Sequence, residues 1–208
     1  MSNRVAVIDS GLCNLDSVGR AIEVCGGEAV VIDNGADLGY VDRIVFPGVG
    51  AFAQAMRSLR DRGLDDAMTE QVLDHGIPFL GICLGMQLLA TEGQEGGRTK
   101  GLGWIDGEVV RLVPGADQEP VRIPHMGWNE VDHNGSSPLF DGIPPGTDFY
   151  FVHSYHLVCD RPEQEAARTP YCGGFTSVVQ RDLTFGVQFH PEKSQKHGLQ
   201  LLRNFLAI

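Results

Sequence analysis

The sequence lacks the features that mark membrane, secreted and zinc-binding proteins. It has no apolar run long enough to span a bilayer and no basic, apolar leader, so we expect a cytoplasmic chain. Its five cysteines are scattered and form no Cys-x-x-Cys pair, which argues against a disulfide framework and a zinc knuckle. We therefore expect reduced thiols, no metal and no cofactor.

Positive charge is also scarce. Lys and Arg together number 16 against 27 Asp and Glu, which gives a net charge of −11. This balance repels phosphate backbones and anionic lipid, so neither a nucleic acid nor a membrane surface is an expected partner. A length of 208 residues with 42% hydrophobic content is typical of one well-buried globular domain, here residues 1–208.

The hydrophobic pattern predicts an α/β fold whose two halves differ. In the first half, strands alternate with helices, which is typical of a parallel sheet flanked by helices. The predicted strands are 4–8, 28–32, 43–46 and 77–82, and the predicted helices are 15–25, 52–59, 64–74 and one from Cys83 to about Gly93. The second half predicts an antiparallel or mixed portion with strands at 108–112, 121–123, 149–152, 175–180 and 185–189, then a helix at 198–206.

Cys83 lies where a predicted buried strand meets a helix. Gly81 and Gly85 flank it as two glycines flank the serine of a nucleophile elbow, in which strand and helix approach too closely for a side chain. The following helix favours a thiolate, and the Leu84 N–H is a candidate donor to a developing oxyanion. The alternative, a small cysteine packed in the core, remains open on this motif alone.

A candidate base and its orienting group follow much later in the chain. Val187 and Phe189 alternate as in a strand, His190 ends that strand, and Glu192 lies two residues on, so both side chains can project to one side. A cysteine, a histidine and a carboxylate are the minimal parts of an acyl-transfer triad. Cys83, His190 and Glu192 are therefore the predicted catalytic residues.

The runs around Cys83 and His190 resemble the two signatures of the class I, or triad, glutamine amidotransferases. The resemblance extends over residues 5–205, and the runs at 13–18 and 123–129 are similar to those of one branch, the glutaminase subunits of imidazole glycerol phosphate synthases. It implies the single-domain fold of that family and hydrolysis of glutamine to glutamate and ammonia. It also implies a heterodimer with a (β/α)₈-barrel cyclase subunit, which uses the ammonia to make imidazole glycerol phosphate and aminoimidazole carboxamide ribotide in histidine biosynthesis.

The same resemblance implies roles for further residues. The glycine-rich run at 47–50, otherwise an ordinary turn, would supply a second oxyanion donor from Val49 or Gly50 beside that of Leu84. The substrate glutamine would contact Gly50, Gln87, His153, Ser154 and Tyr155. His153 and His156 would face opposite sides of a single strand, which argues against a metal site between them.

The predicted partner surface contains Asn14, Trp128 and Lys193. The resemblance places all three there, and a tryptophan on a loop is also a common interface anchor on physical grounds. The sequence departs from the family at two positions nearby, since Cys13 stands where glycine is usual and Ser10 where an aromatic is usual. Both departures concern the docking of the partner and leave the triad intact.

Three alternatives remain for the function. The chain could be the glutaminase of another synthase, in pyridoxal phosphate or purine synthesis, although the runs at 13–18 and 125–129 argue against this. It could be a non-catalytic regulatory relative, although no triad residue is missing. A stand-alone cysteine hydrolase acting on γ-glutamyl substrates is the third.

Overall fold

The computed structural model describes residues 3–11, 15–39, 41–114 and 121–208. The strands are β1 (Arg4–Ile8), β2 (Glu28–Ile32), β3 (Arg43–Gly48), β4 (Phe79–Cys83), β5 (Ala90–Gly93), β6 (Thr99–Lys100), β7 (Ile105–Arg111), β8 (His125–His133), β9 (Thr147–His153), β10 (Tyr155–Cys159), β11 (Glu165–Thr169), β12 (Phe175–Arg181) and β13 (Thr184–Val187). The α-helices are α1 (Leu15–Val24), α2 (Phe52–Asp61), α3 (Leu64–Thr69), α4 (Leu84–Gln87) and α5 (Gln195–Ala207), and a π-helical turn (Glu70–Asp74) extends α3. In the described part of the chain, no helix is both long and apolar enough to cross a membrane.

The described strands form one large mixed sheet and one small one. The large sheet has the order β2-β1-β3-β4-β13-β12-β11-β8-β9, and the small sheet has the order β10-β7-β5-β6. Strands β2, β1, β3, β4 and β13 are parallel to one another, whereas each later pair in the large sheet is antiparallel. The predicted α/β class, with a parallel part followed by an antiparallel part, is confirmed.

The core lies on both faces of the parallel strands. In β1, Val5 and Val7 point into one hydrophobic cluster, and Ala6 and Ile8 point into the other, because successive side chains of a strand face opposite sides. Helices α1 and α5 cover the first face, and α2, α3 and the small sheet cover the second. Burial on both faces explains why these strands are continuously apolar.

The predicted helix after Cys83 is much shorter than expected. It ends at Gln87, and Ala90–Gly93 forms strand β5 instead of a last helical turn. A continuing helix would use the carbonyls of Leu88 and Leu89, but both accept hydrogen bonds from residues beyond 100, such as Leu102 N–H to Leu88 O at 2.8 Å. The tertiary pairing therefore overrides the local helical pattern.

The strand prediction for the second half was only partly right. Residues 121–123 are not a strand, and strand β8 begins at His125, so Trp128 lies on a strand and not on a loop. Strands β5, β6, β8, β10 and β11 were not predicted from the sequence. Strand β8 is defined by its pairing with β9, from His125 opposite His153 to Val131 opposite Thr147, and such long-range pairing leaves little local signal.

Candidate active site

Cys83 occupies a sharp, strained turn at the carboxyl end of β4. It lies opposite Gly48 of β3 in the sheet register, and its backbone has φ 54° and ψ −106°. A non-glycine residue in this region costs about 1–3 kcal/mol, a strain that is typical of functional sites. The turn directs the chain from β4 straight into α4, as the predicted elbow requires.

The two glycines beside Cys83 are required by close backbone packing. A Cβ atom at Gly85 would lie 1.9 Å from the carbonyl oxygen of Phe46, and one at Gly81 would lie 2.6 Å from the carbonyl group of Gly85. Strand and helix therefore approach each other more closely than any side chain allows.

His190 and Glu192 lie next to the end of β13, which pairs with β4 in parallel. The Nδ1 atom of His190 is 2.8 Å from Oε1 of Glu192, and both side chains are almost completely buried. In the neutral ring, Nδ1–H donates to the carboxylate, so Nε2 is the basic nitrogen. The Pro191–Lys193 turn holds both side chains on one side, as the spacing of two residues predicted.

The protonation of His190 depends on its two neighbours. Burial by itself lowers the pKa of His190, but interactions with Cys83 and then Glu192 outweigh burial and raise that pKa to about 9. Nε2 is buried and has no partner with full hydrogen-bond geometry among the described residues, so the contact with the thiol is a loose one. Such loose contacts are common in active sites without substrate.

A cavity of about 360 Å³ opens over the nucleophile. Its lining includes Cys83 and every residue predicted to form the oxyanion hole or to contact the substrate: Val49, Gly50, Leu84, Gln87, His153, Ser154 and Tyr155. Three further lining residues, Glu95, Pro124 and Val152, were not predicted. Residues from distant parts of the sequence thus meet at the carboxyl ends of the parallel strands, where open α/β sheets place their ligands.

The amide group of Gln87 is largely occupied by contacts within the protein. Its Nε2 donates to the Tyr155 carbonyl at 2.8 Å and to Oε1 of Gln188 at 3.0 Å. Both amide protons are therefore used, and only the Oε1 atom of Gln87 remains to accept from a ligand. The Tyr155 carbonyl is also fully used, because it accepts a second hydrogen bond from His153 at 2.9 Å.

Besides Pro124 and Val152, sequence reasoning missed three residues near the catalytic groups. Gln188 is fully buried and lies 3.6 Å from the Cys83 sulfur through its Nε2. Glu95 accepts a hydrogen bond from the Phe52 N–H at 2.8 Å, which places a carboxylate at the start of α2 and in the cavity wall. Ser194 bridges the Tyr150 N–H and the His190 carbonyl. Only Gln188 gave a local signal, as a polar residue between the apolar Val187 and Phe189.

Two histidines, of which His153 lines the cavity, form a hydrogen-bonded pair that the sequence did not predict. Nδ1 of His125 is 3.0 Å from Nε2 of His153, and both rings are buried. His153 ends β9 and His156 lies in β10, so they do not share a single strand as assumed. No described group of His, Cys, Asp or Glu side chains is arranged to hold a metal ion.

The predicted partner residues that the structure describes lie close together at the surface. The Trp128 and Tyr150 ring centroids are 6.1 Å apart, and Nζ of Lys193 is 6.0 Å from the Tyr150 centroid. Met126, two residues before Trp128 on β8, is 64% exposed. Asn14 and Cys13 lie outside the described residues, and Ser10 is buried.

A larger cavity of about 580 Å³ lies elsewhere, lined by residues of β8 and β11 and of the loops that contain Pro145 and Gly173. None of the described residues that line it is a cysteine or a histidine, and its charged residues are Glu130, Asp132 and Arg168. It offers no pairing of nucleophile and base, so chemistry and not size identifies the cavity at Cys83 as the active-site candidate.

The chain is similar to known glutamine amidotransferases over almost its whole length. The family model of class I glutamine amidotransferases matches residues 6–208. The imidazole glycerol phosphate synthase subunit HisH of Moorella thermoacetica is 46% identical over 201 residues, which cover 97% of this chain and 93% of the relative. The HisH subunit of Ruegeria pomeroyi is 46% identical over 208 residues, with 97% of both chains covered.

A solved structure of a glutamine amidotransferase superimposes with a TM-score of 0.76 at 19% identity, and the match covers 98% of this chain and 97% of the other. That structural match shows a shared fold, whereas the family model and the HisH relatives show similarity in sequence. The chain belongs to the class I glutamine amidotransferases and, among them, to the family of HisH subunits of imidazole glycerol phosphate synthase.

Proposed function

We propose that this protein hydrolyses glutamine through Cys83, His190 and Glu192 and delivers the ammonia to a cyclase subunit. One observation carries the proposal: a strained elbow presents Cys83 to a cavity, while the buried His190–Glu192 pair follows the strand that pairs with β4, and Cys83 raises the pKa of His190. The nucleophile, base and orienting carboxylate thus have the mutual arrangement that acyl transfer requires.

In the first half of the reaction, His190 holds the proton of the Cys83 thiol, and the sulfur attacks the side-chain carbonyl carbon of glutamine. The oxyanion accepts hydrogen bonds from the Leu84 N–H and from the N–H of Val49 or Gly50, which line the cavity with Cys83. His190 then returns the proton to the departing nitrogen. The carbon–nitrogen bond breaks, ammonia leaves, and a glutamyl thioester remains on Cys83.

In the second half, His190 removes a proton from a water molecule, and the resulting hydroxide attacks the thioester carbonyl. The carbon–sulfur bond breaks, glutamate is released and Cys83 is regenerated. Glu192 keeps the imidazole oriented throughout, because its carboxylate accepts the Nδ1–H hydrogen bond at 2.8 Å.

The cavity wall offers matching groups for glutamine. Because the amide protons of Gln87 are used within the protein, its Oε1 accepts a hydrogen bond from the substrate. The Glu95 carboxylate provides a counter-charge for the α-ammonium group. The Tyr155 carbonyl already accepts two hydrogen bonds, so its stretch of chain contacts the substrate through other backbone atoms.

The ammonia acceptor is the (β/α)₈-barrel cyclase of imidazole glycerol phosphate synthase, which forms a heterodimer with this chain. The HisH relatives are named as subunits of that synthase, which acts in histidine biosynthesis. Trp128, Met126 and Lys193 form an exposed apolar and cationic patch suited to the partner. Asn14 is proposed to belong to the same interface on the resemblance alone.

The test is glutamate release from glutamine by the purified chain, alone and with a cyclase subunit plus its ribonucleotide ligand. We expect activity that the liganded cyclase increases and that Cys83→Ala abolishes. Cys159→Ala is the matched control, because Cys159 is also a free cysteine but does not line the cavity. Turnover that persists in Cys83→Ala would refute the triad, and activity that ignores the cyclase would refute the partner.

A further inference from the structure

Gln188 contacts the reacting sulfur from within the protein. It lies one residue beyond β13, is 0% exposed, and its Nε2 is 3.6 Å from Sγ of Cys83. It is not one of the described residues that line the cavity, so the cavity does not give a substrate direct access to its side chain. Its own backbone is fixed by the hydrogen bond from its N–H to the Ser177 carbonyl at 2.9 Å.

The hydrogen-bond network determines which end of the Gln188 amide faces Cys83. The Tyr155 carbonyl can only accept, so the Gln87 atom 2.8 Å from it must be the amide nitrogen. The second proton on that nitrogen points to the Gln188 atom at 3.0 Å, which must then be an oxygen. The remaining end of Gln188, its NH₂ group, therefore faces the sulfur.

The hydrogen bonds farther from the nucleophile have defined directions as well. Nδ1 of His153 donates to the Tyr155 carbonyl, so its Nε2 accepts from Nδ1 of His125 at 3.0 Å. Nε2 of His125 in turn accepts from the side-chain amide of Asn129 at 3.1 Å. Each hydrogen bond in this chain thus has an assigned donor and acceptor, and the Tyr155 carbonyl, which can only accept, sets the orientation of Gln87 and through it that of Gln188.

We propose that Gln188 is a further catalytic residue, whose side-chain N–H donates a hydrogen bond to the Cys83 sulfur and stabilises its anionic form. This inference rests on the proposed function. The donor stabilises the charge on sulfur before it attacks, and again when the carbon–sulfur bond of the thioester breaks and the thiolate leaves. In the thioester itself the sulfur is neutral, so the hydrogen bond is weakest in the intermediate and strongest at both ends of the cycle.

The test measures the reactivity of Cys83 without the need for glutamine. Gln188→Met removes the donor at similar volume, and Gln188→Glu replaces it with an acceptor of nearly the same shape. Alkylation of Cys83 by iodoacetamide at pH 7 is followed by peptide mass spectrometry, which separates this thiol from the other cysteines. We expect a fall of about tenfold in the alkylation rate for Gln188→Met and a larger fall for Gln188→Glu.

Glutamine kinetics in the complex with the cyclase distinguish catalysis from packing. Because Gln188 does not line the cavity, we expect both variants to lower kcat by a similar factor and to leave KM within about twofold of the original value. Gln164→Met is the matched control, since Gln164 is another buried glutamine whose Oε1 accepts from the Asp106 N–H. It should change neither the alkylation rate nor kcat.

The proposal is overturned if folded Gln188→Met or Gln188→Glu alkylates at the original rate. It is also overturned if the variants raise KM alone, since Gln188 would then act only by holding Gln87 in place. If one of these variants fails to fold, the alkylation rate and the kinetics of the other variant test the proposal. If the original chain releases no glutamate but the Gln188 variants still alkylate more slowly than it does, the contact at Cys83 is upheld and the proposed function is refuted. The two failures are therefore distinguishable.

Discussion

Acid should destabilise this protein through the buried pair His125 and His153. Their ring nitrogens are 3.0 Å apart, and neither ring is more than 6% exposed. Burial, assisted by the neighbouring His125, His156 and His190, lowers the pKa of His153 to about 3, although the hydrogen bond to the Tyr155 carbonyl opposes this change. Burial likewise lowers the pKa of His125 to about 4.

The direction of the stability change with pH depends on whether the folded or the unfolded chain binds more protons. Below the ordinary histidine pKa of 6.5, the unfolded chain binds protons that the folded pair excludes, so stability is present above that pH and is lost as pH falls. From pH 7 to pH 5 each ring lowers the free energy of unfolding by about 2 kcal/mol, and the pair lowers it by about 4 kcal/mol. His156, whose pKa burial also lowers, acts in the same direction.

His190 has the opposite effect, because interactions with Cys83 and Glu192 overcome burial and raise its pKa to about 9. The stability that it contributes is fully present below pH 6.5 and is lost as pH rises through 9. Between pH 7 and pH 5 it therefore adds about 1 kcal/mol, which leaves a net loss of about 3 kcal/mol from His125, His153 and His190.

The assay is urea unfolding at pH 7 and pH 5, for the original chain and for a variant with His125→Phe and His153→Phe. Phenylalanine suits this site because Phe151 and Phe175 already pack against both rings. We expect the variant to lose about 4 kcal/mol less than the original chain between the two pH values. His75→Gln is the control, because His75 is exposed. An unchanged pH dependence in the double variant would refute the reasoning.

Three further predictions concern the elbow, the triad and the cavity. Gly85→Ala should lower the free energy of unfolding by about 3 kcal/mol and Tm by about 10 °C, because the new Cβ would lie 1.9 Å from the Phe46 carbonyl oxygen. Glu192→Gln should keep the fold but lower kcat by about 10²- to 10⁴-fold, since it weakens the orientation of His190. Glu95→Gln should raise KM for glutamine by about tenfold with little change in kcat, as measured by glutamate release.

Each of these has a control. Gly39→Ala tests whether any glycine replacement is costly, since a Cβ atom there would meet nothing within 4 Å and Tm should stay almost unchanged. Glu163→Gln removes an exposed carboxylate elsewhere and should leave both kcat and KM unchanged. A stable Gly85→Ala protein, an active Glu192→Gln enzyme or an unchanged KM in Glu95→Gln would each contradict its prediction.

The sequence was most informative where function and fold depend on neighbouring residues. Continuous runs of apolar residues predicted β1 to β4 within one or two positions, because burial on both faces of a parallel strand requires apolar residues at successive positions. Gly81 and Gly85 predicted a close approach of strand and helix, and the packing of both glycines requires it. The spacing of His190 and Glu192 predicted side chains on the same side, and their 2.8 Å contact agrees.

The sequence by itself therefore determined the α/β class, the elbow and the candidate triad, since each leaves a local pattern of hydrophobicity, glycine or spacing. Only the tertiary structure decided that α4 ends after one turn, that Glu95 joins the cavity wall, and that Gln188 faces a sulfur 105 residues away in the chain. Such contacts depend on which distant strands pair and in what register. The free energy that favours one pairing and register comes from contacts throughout the sheet and core, so no short stretch of sequence is enough to predict it.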